Sequence, residues 1–285
     1  MSFTDVPVVM DCQGESLLGI VSRPETAGAL GLVMLVGGPQ YRVGSHRQFL
    51  LLARCLADAG FPVLRFDYRG MGDSSGEVRH FEVVDDDIGV AIDALRRTCP
   101  SVERVVLWGL CDAASAALLY SGQHPQAGLA GLCLLNPWVR SETTLARTHI
   151  KHYYVSRLLQ PEFWRSIWQG QYAWRLSARG LWQSLRAWRP SPQMVGSEPT
   201  FQQRMARALR NFNGPVLLLL SDGDYTAKEF LECALTDRDW RGLLQRPGLS
   251  RVDVAQADHT FSKAAWRAEV EQAVLAWMTS LDASA

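Results

Sequence analysis

The chain has 285 residues, 47% of them hydrophobic, with 29 Lys and Arg against 29 Asp and Glu. That length suits one domain of roughly 200–250 residues with an insertion, and the zero net charge points to no nucleic-acid partner. The six cysteines (12, 55, 99, 111, 133, 233) lack CxxC or Cys/His metal spacing, which argues against a zinc site or a disulfide framework.

In chain order, Met1-Ser2-Phe3-Thr4-Asp5 has no basic stretch leading into an apolar run, so a cytoplasmic protein is expected. No apolar segment approaches the roughly 18 residues of a membrane span. Residues 8–12 and 17–21 predict a hairpin through Gln13-Gly14-Glu15. Residues 31–36 predict a buried strand ending in Gly37-Gly38-Pro39, and residues 49–59 a helix stopped by Gly60. A strand over 61–66 precedes the loop from Asp67 to Gly76. An amphipathic helix over 83–97 then leads to a strand at 104–108. Strands follow at 128–135, 216–220 and 250–255, and a helix runs from 263 to about 281. Strands alternating with helices predict an α/β fold with a mostly parallel sheet and helices on both faces, binding ligands at the strands' C-terminal ends.

Residues 140–210 break this rhythm and read as an inserted helical cap, with residues 1–139 and 211–285 forming the core. Five Trp (164, 168, 174, 182, 188) lie there, together with Tyr153, Tyr154 and Tyr172. Between 141 and 210, eleven basic residues face three acidic ones, so the neutral total conceals a basic aromatic cap on an acidic core.

The strand Arg104–Trp108, the turn Gly109-Leu110-Cys111-Asp112-Ala113 and the helical run from Ala114 place small residues two before and two after Cys111. This strand–turn–helix resembles the nucleophile elbow of α/β-hydrolases, in which the turn strains the nucleophile's backbone and admits only small neighbours. The helix N-terminus favours a thiolate. Ser115, a turn further on, is a poor alternative nucleophile.

Acyl chemistry at a thiol needs a base, an acid to orient it and donors for the oxyanion. In α/β-hydrolases the base follows the last strand. His259 stands there, whereas His46, His80 and His124 read as loop residues and His149 and His152 fall in the cap. The acid follows the strand 216–220, where Ser221-Asp222-Gly223-Asp224 offers two carboxylates. Asp224 is preferred, with Asp222 read as a turn residue. Expected oxyanion donors are the backbone N–H of Asp112 and, because Pro39 has none, that of Gln40. A carboxylate beside the nucleophile would repel an oxyanion, so the Asp112 side chain is expected to point away or to pair with an arginine such as Arg42. The loop Asp67–Gly76 lacks a Walker Lys-Ser/Thr and reads as structural, tied by Arg69 and Asp73. No metal or cofactor is expected.

The motifs together resemble the α/β-hydrolase superfamily over nearly the whole chain. More narrowly, residues 36–47, the loop 67–76 and Thr226-Ala227-Lys228-Glu229-Phe230 resemble the exosortase A system-associated hydrolase 1 family. That resemblance implies a substrate carried as a thioester, since those proteins accompany acyl carrier protein, an acyl–AMP ligase and a PLP decarboxylase.

Cysteine in the nucleophile position forms an acyl thioester, which reacts readily with amines or thiols and comparatively slowly with water. The expected activity is therefore acyl transfer through Cys111 from a carrier-protein or pantetheine thioester to an amine or hydroxyl, with His259 as base and Asp224 orienting it. Hydrolysis of the same (thio)esters is the first alternative. A non-catalytic module docking an acidic carrier protein or a membrane surface is the second. Tyr41, Arg42, Trp138, Trp164 and Trp168 are the candidate substrate-binding residues. The sequence leaves the oligomeric state open.

Overall fold

The structure, a computed structural model, describes residues 2–38, 40–140 and 198–283. Residues 1–139 and 200–285 make one compact unit and residues 140–199 a second. Nearly all of the second, with the predicted cap helices and Trp164 and Trp168, lies outside the described residues. Among the described residues no helix is long and apolar enough to cross a membrane.

The first unit is built on an eight-stranded sheet in the order β1-β2-β4-β3-β5-β6-β7-β8. Strands β1 (Phe3–Cys12) and β2 (Glu15–Pro24) form the predicted hairpin. Its two-residue turn has positive φ at both Gln13 and Gly14, the geometry that matches strand twist. Strand β2 pairs antiparallel with β4 (Val63–Phe66), and from there the sheet is parallel through β3 (Leu30–Leu35), β5 (Arg104–Leu110), β6 (Leu129–Leu135), β7 (Val216–Ser221) and β8 (Leu249–Val254). All six residues of β3 are buried, as a strand covered on both faces requires.

Helices cover both faces. Helix α1 (Gln48–Asp58) and helix α6 (Ala264–Ala283) bury Phe49, Leu52, Leu56, Val274 and Met278 on one face. On the other, α2 (Asp85–Thr98), α3 (Asp112–Gln123), α4 (Phe201–Asn211) and α5 (Tyr225–Thr236) bury Ile88, Leu118, Met205 and Phe230. Helix α4 corrects the expected boundary at 210, because it belongs to the sheet unit and packs on α3. Thr200 starts it with a capping box closed by Gln203. Its amphipathic face reads equally well as cap or core, so the sequence pattern alone does not separate the two.

From β3 the chain passes to β4 on one side, then returns to β5 on the other. The C-terminal ends of β3 and β5 therefore flank the topological switch point, where such sheets form a crevice. Gly37-Gly38 leave β3 there, and Cys111 leaves β5 beside them.

Candidate active site

Cys111 sits between β5 and α3 with φ 64° and ψ −126°. A non-glycine residue in that region is strained and persists only where its surroundings hold it. Here the Cys111 N–H donates to the Leu135 carbonyl (2.9 Å), and the Cys111 carbonyl accepts from Ala114 (3.1 Å) and Trp138 (3.2 Å). A Cβ on Gly109 would lie 2.5 Å from the Ala113 carbonyl, so the small residue before the nucleophile is a requirement of the turn. Ser115 is fully buried and donates to the Trp138 carbonyl (2.6 Å), which leaves it unavailable as a nucleophile.

His259 follows β8 in a turn organised by Asp258. That carboxylate accepts the backbone N–H groups of Thr260 (3.1 Å) and Ser262 (3.0 Å). The His259 Nδ1 lies 2.7 Å from Asp224 Oδ2, and the ring lines the same cleft as Cys111. The hydrogen bond to Asp224 first, and the neighbouring Cys111 side chain next, raise the imidazole from its ordinary 6.5 to about 10 against the opposing effect of burial. Burial is the largest influence on Asp224 and pushes it upward, but the bond to His259, the histidine's charge and the N–H groups of Thr226 and Ala227 together outweigh it and hold the carboxyl below its usual range. Asp222 has another task, accepting the Gln256 N–H and so tying the end of β7 to the turn before His259.

Asn136 is a positioning residue that sequence reasoning missed. Buried at the end of β6 with φ 43°, it accepts the Ser221 N–H (2.9 Å) and donates to the Ser221 hydroxyl (2.8 Å) and the His259 carbonyl (3.3 Å). One side chain thus joins the ends of two strands to the histidine loop. Its sequence signal is faint: a polar residue closing an apolar strand, one of the few types that tolerates a left-handed backbone.

The loop after β3 adds a donor near the elbow and corrects one expectation. Its N–H that reaches the elbow belongs to Gly38, which donates to the Asp112 carboxylate at 2.8 and 3.1 Å. Gln40 lines the same cleft but turns its side chain to the Ser45 N–H (3.1 Å). Asp112 also does not pair with Arg42, whose guanidinium is taken by Asp67 and Asp73. Burial raises the Asp112 pKa, and the N–H groups of Gly38, Ala113 and Asp112 itself partly offset that rise.

Cys111, Asp112, His259, Trp138, Gly38 and Gln40 line one cleft, together with Tyr68, Met71, His80 and Phe81. Its lining does not include Tyr41, half exposed, or Arg42, engaged with its two aspartates. His80, read only as a loop residue, does line it. The loop Asp67–Gly76 behaves as expected and adds a wall: Arg69 is clamped on Asp87 (2.7 to 3.2 Å) and reaches Gln13 (2.7 Å). On the far side of this wall, Phe81 packs edge-on against Phe201 of α4 (5.4 Å).

Known proteins bear out this architecture. Over nearly its whole length the chain is similar in fold to a ferulic-acid-bound Est1E from Butyrivibrio proteoclasticus (TM-score 0.62, 14% identity, 97% of this chain and 99% of that one). The Pyrococcus furiosus esterase Pf2001 gives TM-score 0.61 at 16% identity, covering 97% of this chain and 93% of that one. A proline iminopeptidase from Mycobacterium smegmatis gives 0.59 at 15%, covering 98% and 99%. Human protein ABHD12B is 40% identical over 78 residues, 27% of this chain but only 20% of that protein's length. The family described as serine aminopeptidase, S33 matches residues 30–229, a span that takes in Cys111 and Asp224. The chain therefore belongs to that family of α/β-hydrolases.

Proposed function

We propose that this protein takes an acyl group from an ester or thioester onto Cys111 and passes it to an amine or hydroxyl acceptor. The observation that carries the reading is the convergence of the Cys111 side chain, His259 and Asp224 at a cleft on the switch point of the sheet. In the first half-reaction Sγ, its proton held by His259 as the imidazolium, bonds the acyl carbon. The carbonyl oxygen becomes an oxyanion facing the N–H groups of Asp112 and Gly38. Collapse breaks the bond to the donor's oxygen or sulfur, and that leaving group takes the proton from His259. In the second half-reaction the acceptor gives its proton to His259 and attacks the thioester, and Cys111 departs as the thiolate. Asp224 keeps the imidazole in one orientation and stabilises its charged form through both halves.

A carrier-bound thioester as donor is supported by the sequence of residues 140–199, where nine basic residues face three acidic ones. Acyl carriers are acidic, and pantetheine brings a phosphate. The narrower resemblance to the exosortase-associated hydrolases points the same way.

A second reading, hydrolysis with water as acceptor, is favoured by the family and by the two esterases of similar fold. Intact-protein mass spectrometry with a panel of acyl-pantetheine thioesters separates the two. Transfer predicts an adduct on Cys111, absent in Cys111→Ala, whose decay is accelerated by one acceptor with formation of the amide or ester. Free acid as the sole product with every acceptor establishes hydrolysis. Unchanged turnover in Cys111→Ala overturns both.

A further inference from the structure

The carboxylate beside the nucleophile occupies one of the donors that the reaction requires and lies beside the other. Gly38 N–H points at both Asp112 oxygens, and the Asp112 N–H belongs to the same residue as that carboxylate. Those are the two backbone groups that face the oxyanion in the proposed reaction. The arrangement is built in: a Cβ on Gly37 would fall inside contact distance of the Asp112 carboxylate and 2.5 Å from the Leu110 carbonyl. The loop is thus shaped around the carboxylate. An acyl oxygen must compete with this carboxylate for the Gly38 N–H, and the two repel each other as charge develops on the acyl oxygen.

A second partner for the carboxylate is on offer in the lining of the same cleft. Tyr68 is 4% exposed and lines the cleft, and its hydroxyl has no hydrogen-bond partner among the described residues. A buried hydroxyl left without a partner is costly and calls for an explanation. Phe66 holds the ring edge-on at 5.1 Å, so it is the hydroxyl's partner, and not the ring, that is missing. Burial first, and the Asp112 charge next, push the phenol well above its ordinary pKa, which keeps it a donor.

We propose that the Asp112 carboxylate is a substrate-displaced plug of the oxyanion site, resting on the Gly38 N–H and turning to the Tyr68 hydroxyl when an acyl carbonyl enters. The inference rests on the reading of Cys111 as the acylated group. It makes Asp112 a specificity residue, since a ligand opens the site by presenting a carbonyl oxygen to Gly38. Tyr68 is then a positioning residue that receives the displaced charge.

Acylation of Cys111 by p-nitrophenyl butyrate, monitored by stopped flow, tests this. Asp112→Ser is expected to speed acylation about tenfold, a fraction of the roughly 10²- to 10³-fold that one oxyanion donor contributes. Tyr68→Phe is expected to slow it by a similar factor, and to have no effect in the Asp112→Ser background. An Asp112→Ser enzyme that acylates no faster overturns the plug, and so does a Tyr68→Phe effect that persists without the carboxylate. Independently of any variant's folding, a crystal structure of the parent enzyme alkylated at Cys111 by a chloromethyl ketone should show the ketone oxygen on Gly38 and Asp112 on Tyr68. Asp112 still on Gly38 in that adduct removes the plug alone. A parent enzyme that takes no adduct on Cys111 removes the acyl-Cys111 reading and the plug with it.

Discussion

Asp224 Oδ2 lies 2.7 Å from Nδ1 of His259 and also accepts the Ala227 N–H at 3.3 Å, so one carboxylate oxygen both orients the imidazole and caps helix α5. The two roles separate by substitution. Asn serves as well as Asp at an N-cap but cannot stabilise an imidazolium by charge. Asp224→Asn should therefore lower the acylation rate by about 10²- to 10⁴-fold with little change in thermal midpoint at alkaline pH. Asp224→Ala should lose the same activity and, in addition, about 1 kcal/mol of stability with the cap. Rates near the parent's in both variants would remove Asp224 from the proposed chemistry.

The same pair sets a pH dependence of stability. A histidine raised from 6.5 to about 10 stabilises the fold fully below pH 6.5, and that contribution is lost as pH rises towards 10. A carboxyl lowered below 3.8 contributes above that value and loses its contribution as acid protonates it in the fold. The stability gap between the parent and Asp224→Asn should thus be widest between pH 3.8 and 6.5 and should narrow steadily towards pH 10. Urea midpoints measured across that range check it, and a gap that stays flat from pH 6 to 10 contradicts the pairing.

How much of this is legible in the sequence depends on how local each signal is. The elbow is readable because Gly109, Cys111 and Ala113 lie within five residues and the strain on Cys111 demands small neighbours. His259 and Asp224 are readable because parallel strands deliver their exit loops to one end of the sheet. Asn136 is not, since its partners Ser221 and His259 are 85 and 123 residues away and only the folded sheet brings them together. Pro39 is readily excluded as a donor because it has no N–H, but finding the Gly38 N–H on the carboxylate of the elbow needs the loop's path, which sequence does not carry. Helix α5 escapes a reading of Asp224 as an acid alone, although a capping Asp before Tyr225 also announces a helix.

Asn136 offers a test of positioning at a distance from the reacting atoms. Asn136→Ala strands the buried Ser221 N–H and places alanine at φ 43°, costing about 1–3 kcal/mol for the lost bonds and about 1–2 kcal/mol for the backbone. Asn136→Gly forfeits the same bonds without the backbone strain, so it should be the more stable of the two by about 1 kcal/mol or more. Both variants release the His259 carbonyl, so kcat should fall more than KM rises. Equal stability of Ala and Gly would mean that the backbone at 136 relaxes.

The clamp beneath the cleft wall should be the costliest to break. Arg69 is 2% exposed and its partner Asp87 is fully buried, with three side-chain bonds between them and a fourth from the Arg69 N–H (2.9 Å). Asp87→Ala leaves the buried guanidinium with only the exposed Asp86 at 3.7 Å and Gln13 at 2.7 Å, a change that costs up to about 3–5 kcal/mol. Arg69→Met with Asp87→Leu replaces the pair by apolar side chains of similar bulk and should recover most of that loss. Chemical denaturation of the single and double variants measures both. A double variant as unstable as the single would show that the loop needs the charges themselves, including the Arg69 bond to Gln13.

Cys111→Ser asks why sulfur stands where the family's name specifies serine. The elbow imposes φ 64° on either residue, and the hydroxyl is close enough in size to take the same place beside His259. What changes is the intermediate: an oxygen ester in place of a thioester, less reactive towards amines relative to water. The alkoxide is also much harder to form than the thiolate, although His259 and Asp224 remain as base and orienting acid. Cys111→Ser should therefore acylate more slowly and divide its acyl group differently, with free acid rising at the expense of amide at fixed acceptor concentration. Product ratios by mass spectrometry, taken alongside the parent's, measure this. A ratio unchanged by the substitution would show that the acceptor is chosen by the cleft and not by the chemistry of sulfur.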